Sequence, residues 1–178
     1  MSTSGNTSRR HPFPMVRSGG LFILLVGLGI LAGAALGENH LLPPLIVGAS
    51  LAIIAQSVFR SRLVRPFGSP TRFQVMALIG AIILEMITAA VVAYEFHFRQ
   101  SRSFWLWILL VVGGHFLIIA IAQGRLPFLL GVACVANAVV GLWLPQAPLV
   151  VFWSIDGAMK IIVGSLMLST RPLTEVPS

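Results

Sequence analysis

Residues 73–94 read FQVMALIGAIILEMITAAVVAY, a run of 22 in which Glu85 is the one charged side chain. A hydrocarbon core of about 30 Å takes about 20 residues of helix at 1.5 Å per residue. The run is long enough to cross it. Apolar residues cover every side of such a helix rather than one stripe, which suits lipid or the inside of a bundle and not a soluble surface. Five further runs share this character, at 18–36, 41–59, 104–122, 126–144 and 149–168. The chain is therefore predicted to be all-α, a polytopic membrane protein of six transmembrane helices in three successive hairpins.

The whole 178-residue composition agrees, with 57% hydrophobic and 10% charged residues and a mean hydropathy of +0.94, outside the range of soluble domains. Helix breakers stand at the joints. Pro43 and Pro44 open the second span, Pro127 opens the fifth, and residues 145–148 link the last two. The longest connection is 60–72, with the turn-like sequence PFGSP at 66–70. The tails 1–17 and 169–178 are polar and expected to be disordered. A single cysteine, Cys134, excludes an intramolecular disulfide and a multi-cysteine metal site, and is read as a small packing residue.

Twelve Lys and Arg against five Asp and Glu give a net charge of +7. With the N-terminus inside, Arg9, Arg10, Arg17, Arg60, Arg62, Arg65, Arg72, Arg125 and Arg171 fall on the cytoplasmic side, and only Arg99 and Arg102 outside. Both termini are thus expected in the cytoplasm. Trp105, Trp107, Trp143, Trp153 and Tyr94 then lie near the outer ends and read as an interfacial belt. Arg60, Arg62, Arg65 and Arg72 are candidates for contact with anionic lipid head groups. Nucleic acid is not expected as a partner, because no folded basic face stands behind these charges. A rival reading makes the N-terminus an export signal, with Arg9 and Arg10 ahead of an apolar run and small residues at Ala32, Gly33 and Ala34. Retention of the first span is the expectation.

Sliding the chain by 104 residues aligns the first hairpin with the third, pairing Gly27 with Gly131, Ala34 with Ala138, Gly37 with Gly141 and Pro44 with Pro148. This describes a parallel repeat, and in pattern it resembles bacterial acid-resistance membrane proteins built from a short hairpin repeat. Gly29, Gly33 and Gly37 recur every four residues, a spacing that clears one helix face for close approach of another backbone. The same face serves packing within one chain or a homo-oligomer.

Three ionisable groups lie within the predicted spans: Glu85, Asp156 and Lys160. Each costs roughly 2.5–3.5 kcal/mol at a helix centre on insertion scales. His115 and Asn137 add polar groups, and at 1.5 Å per residue all five fall within about 4 Å of the middle of their spans. Unsatisfied polar groups in hydrocarbon must find partners, so one midplane cluster is expected, with Thr88 one turn from Glu85. Asp156 and Lys160 are i and i+4 with the acid first, the better order for an ion pair. Lys160 is the only lysine beside eleven arginines, and an ammonium, unlike a guanidinium, can give up its proton when buried. With both acids ionised, Lys160 charged and His115 neutral, the cluster carries −1. One proton or one cation neutralises it, and Glu85, which has no partner in its own helix, is the expected acceptor. Three readings stay open: a network that holds helices together, a proton or ion pathway, and a small-ligand pocket.

The sequence contains no Gly-rich phosphate loop, no paired metal-binding histidines on one helix and no nucleophile elbow. Ser154, the nearest hydroxyl in the last span, lies on a different face from Asp156. No enzyme activity, cofactor or metal is expected. The leading functional reading is a small transporter or channel-like protein for protons or a small solute. Its rival is a membrane scaffold or stress protein whose cluster is structural. At Gly113-Gly114-His115-Phe116 and along 156–164 (DGAMKIIVG) the chain resembles an uncharacterised family of small bacterial integral membrane proteins, which implies a bacterial cytoplasmic membrane and no particular mechanism.

Overall fold

The computed structural model describes residues 11–97, 99 and 101–172. Six long helices follow one another: α1 Val16–Leu36, α2 Leu42–Val64, α3 Arg72–Glu95, α4 Arg102–Gln123, α5 Arg125–Trp143 and α6 Leu149–Ser169. All six are long and apolar enough to cross a membrane. Local signals set their ends. Thr71 and Gln74 form a reciprocal capping box at the start of α3, Thr71 Oγ1 accepting from the Gln74 amide at 3.2 Å and Gln74 Oε1 from the Thr71 amide at 3.0 Å. Ser101 caps α4 through the Phe104 amide. A single residue, Gly124, joins α4 to α5 at φ +97°, a conformation that suits glycine.

The largest departure in boundaries is at α2, which runs to Val64 and continues into a 3-10 turn at Arg65–Phe67. Arg60 and Arg62, expected in a loop, are on this helix. At the other end, α1 begins at Val16, and the residues before it pack on the bundle. The His11 ring meets Phe67 edge to face, with centroids 5.0 Å apart, and Gln74 Nε2 donates to the Pro12 carbonyl at 2.8 Å. Arg9 and Arg10 lie outside the described residues.

Consecutive helices pack in pairs, α1 with α2, α3 with α4 and α5 with α6, but these are not the dominant contacts. The most extensive interface joins the first and last helices, α1 and α6, and the next joins α4 and α5. Helix α2 is attached through α1, α3 through α4, and a smaller α5–α6 contact joins the two halves. The hairpins aligned in sequence therefore pack unequally, α1 closely on α2 but α5 only loosely on α6. Glycine decides where backbones meet. A Cβ on Gly20 would sit 2.8 Å from the Gly164 carbonyl oxygen, and one on Gly27 would sit 2.9 Å from that of Gly157. The α4–α5 contact is built likewise on Gly113 and Gly131.

Of the expected glycine face, Gly29 lies against Pro44 and Gly48 of α2, and Gly33 lies against Leu41. Gly37 is not a packing residue: it ends α1 at φ +95°, with no atom of the described residues within 4 Å of where a Cβ would be. The aromatic belt is also corrected. Trp143 and Tyr94 are exposed, but Trp105 and Trp153 are buried and pack edge to face at 5.0 Å in the core. Both outer helices present apolar surface outward, α2 burying only Gly48 and Ala52, and α3 only Gln74, Ala81 and Val92. Apolar patches of that extent mark an interaction or lipid surface rather than a face in water.

Candidate functional site

The polar residues expected at one depth divide into an Asp–Lys ion pair, a Glu–His pair and a separate amide. Asp156 and Lys160 pair along one face of α6, and neither side chain has any exposure. The close approach at Gly27 brings α1 against the Lys160 Cβ side. Cys134 of α5 places its Sγ 3.9 Å from Lys160 Nζ, and the Phe116 ring of α4 is centred 5.6 Å from the same nitrogen. Four helices thus enclose the pair. Asp156 Oδ2 accepts from Lys160, whereas Oδ1 has no hydrogen-bond partner among the described residues.

The second pair bridges α3 and α4. His115 Nδ1 lies 3.1 Å from Glu85 Oε2 and 3.1 Å from the Ala81 carbonyl oxygen. A carbonyl can only accept, so this network assigns the ring hydrogen to Nδ1, which donates to both oxygens and leaves Nε2 as the second site for a proton. The His115 side chain is 8% exposed and that of Glu85 29%. They open onto a crevice of about 390 Å³ between α3 and α4, otherwise lined largely by apolar residues such as Val92, Trp107, Leu110 and Ile118. Thr88 also lines it, but its hydroxyl donates back to the Leu84 carbonyl at 2.7 Å, not to Glu85.

Phe116 stands between the pairs, its ring 5.7 Å from that of His115 and 5.6 Å from Lys160 Nζ. Among the described residues no hydrogen bond joins the two pairs, and this phenyl ring is the group in contact with both. Asn137 belongs to neither pair. Its Nδ2 donates to the Phe152 carbonyl at 2.9 Å and ties α5 to α6. Among the described residues no three His, Cys, Asp or Glu side chains converge as a metal site would require.

Sequence reasoning missed Phe116 and the role of Cys134, because an aromatic ring or a thiol in an apolar helix carries no mark of which side chain it faces. It also read two arginines only as charge. Arg102 donates to the carbonyls of Gly141 at 2.7 Å and Leu144 at 2.8 Å, and so satisfies the end of α5. Arg17 donates to the Leu168 carbonyl at 2.9 Å, near the end of α6. Both place a cation where a helix leaves carbonyls unpaired. Arg60, Arg62, Arg65 and Arg72 remain exposed, together at the α2–α3 end of the molecule.

No curated protein and no solved structure matches the chain. Residues 6–177 match a family of unknown function, DUF6609. The match takes in both side-chain pairs and all six helices, and the chain belongs to that family.

Proposed function

We propose that the protein is a small transporter or channel-like protein of a bacterial cytoplasmic membrane, with both termini cytoplasmic, moving protons or a small solute past Glu85 and His115. The observation that carries this reading is the carboxylate–imidazole contact of 3.1 Å, which opens onto a crevice instead of being sealed in the core. An intramembrane acid is costly and is by default a functional group. The geometry suits a relay. A proton arriving at His115 Nε2 makes the ring an imidazolium, and its Nδ1 hydrogen then passes to Glu85 Oε2, leaving both groups neutral. Asp156 and Lys160 act as a fixed, mutually cancelling charge behind Phe116. The exposed arginines at the α2–α3 end meet anionic head groups, and the protein catalyses no covalent chemistry.

A second reading, a scaffold or acid-stress protein without transport, is favoured by one observation, the complete enclosure of Asp156 and Lys160. Reconstitution separates the two. Wild-type proteoliposomes are expected to dissipate a pH gradient, and Glu85→Gln to lose at least about tenfold of that rate, the scale of a general acid–base group being larger still. Glu85→Gln is expected to keep its circular dichroism. A wild type inert toward a broad panel of ions and solutes sinks transport and leaves the scaffold.

A further inference from the structure

Most helix glycines here touch a neighbouring helix, but Gly80 and Gly114 do not: among the described residues nothing lies within 4 Å of where either Cβ would be, and of the two only Gly114 lines the crevice. Glycine inside a helix costs about 1 kcal/mol relative to alanine, and at this position no backbone contact offsets it. What the missing side chain leaves is room, since Gly114 lines the crevice next to His115. Its volume of about 390 Å³ falls in the range of small-molecule sites.

We infer that this crevice binds one amphiphilic organic amine in its ammonium form, with the N–H groups on the Glu85 carboxylate and the hydrocarbon part along Trp107, Leu110 and Ile118. The inference rests on Glu85–His115 being the working site and names its substrate class. Charge complementarity selects the occupant. Asp156 is already paired with Lys160, whereas the partner of Glu85 is an imidazole nitrogen that it shares with the Ala81 carbonyl, not a permanent cation. An ammonium group supplies that cation, and the apolar walls take the rest of the molecule. Depth excludes a lipid head group as the source. Glu85 is 13 residues from Arg72 and ten from Glu95, or about 20 and 15 Å from the two ends of α3.

Binding is measured at equilibrium on the full chain in phospholipid-free detergent, with dansylcadaverine as the probe. Trp107 reports occupancy by quenching, with Trp107→Phe as the assignment control. The wild type is expected to bind saturably. Glu85→Gln is expected to weaken binding about 10- to 100-fold, the scale of a hydrogen bond between charged groups. Gly114→Leu, which fills the crevice and leaves Glu85 in place, is expected to weaken it comparably, with Val111→Trp, also on the crevice wall, as a second obstruction should Gly114→Leu disturb folding. The N-acetylated probe, which has no charge, is expected not to bind. Equal binding by Glu85→Gln, by both crevice-filling variants, or of the acetylated probe overturns the inference. A wild type that dissipates a pH gradient but binds no amine overturns it while leaving proton movement intact. Binding without flux supports the site and overturns transport.

Discussion

The two side-chain pairs occupy neighbouring parts of one membrane-length bundle and differ in almost every other respect. Asp156–Lys160 lies within a single helix, carries two full charges of opposite sign and has no exposure. Glu85–His115 spans two helices, joins an acid to a weak base and borders open space. A glycine beside each pair acts in opposite ways. Gly27 lets α1 close over Lys160, and Gly114 holds the crevice open at His115. A sealed ion pair suits structure, and a partly buried pair that borders a crevice suits exchange with a ligand.

Breaking the sealed pair is expected to have the largest effect. Lys160→Met leaves Asp156 buried without a counter-charge and is expected to cost about 3–5 kcal/mol, read as a loss of thermal stability in detergent. The double variant Asp156→Leu, Lys160→Met removes both charges and is expected to recover most of that loss. A double variant as unstable as the single one shows that the pair does more than neutralise itself. Next comes Gly27→Ala, whose new methyl meets the Gly157 carbonyl oxygen and the Lys160 Cβ at 2.9 Å. It is expected to destabilise by about 1–3 kcal/mol, and an unchanged midpoint means that α1 and α6 can part without cost.

Smaller effects are expected on the open side. Gly114→Ala meets nothing and is expected to stabilise by up to about 1 kcal/mol. Opposite signs for alanine at these two glycines are the sharpest form of the contrast, and destabilisation at both removes it. Glu85→Gln keeps an acceptor for His115 Nδ1 and is expected to change stability by under about 1 kcal/mol, so its loss of flux cannot be ascribed to unfolding.

The helices were legible because each is a continuous apolar run bounded by proline, glycine or a capping residue, as at Thr71 and Gly124. Depth was legible too, since counting along a helix axis places Glu85, His115, Asp156 and Lys160 near the middle. Direction around the axis was not. In spans that are apolar on all sides no periodicity points inward, so Asn137 fell in with the charged residues although it faces the Phe152 carbonyl. Trp105 and Trp153 were assigned to the surface for the same reason. Regular spacing also misled at Gly37, where the end of α1 and not helix packing explains the residue. The order of packing across the bundle is set by which glycines oppose each other, and Gly20 opposite Gly164 is a match between positions 144 residues apart.

That separation has a consequence for biogenesis. At a synthesis rate of about 5–20 residues per second, the ribosome needs roughly 7–30 seconds to pass from Gly20 to Gly164. For that interval the face of α1 carrying Gly20 and Gly27 has no mate, and the Leu168 carbonyl that Arg17 will cap does not yet exist. The α4–α5 half, joined through one residue, can assemble while the chain is still growing, so the nascent protein passes through a stage with one half built and its first helix held in waiting.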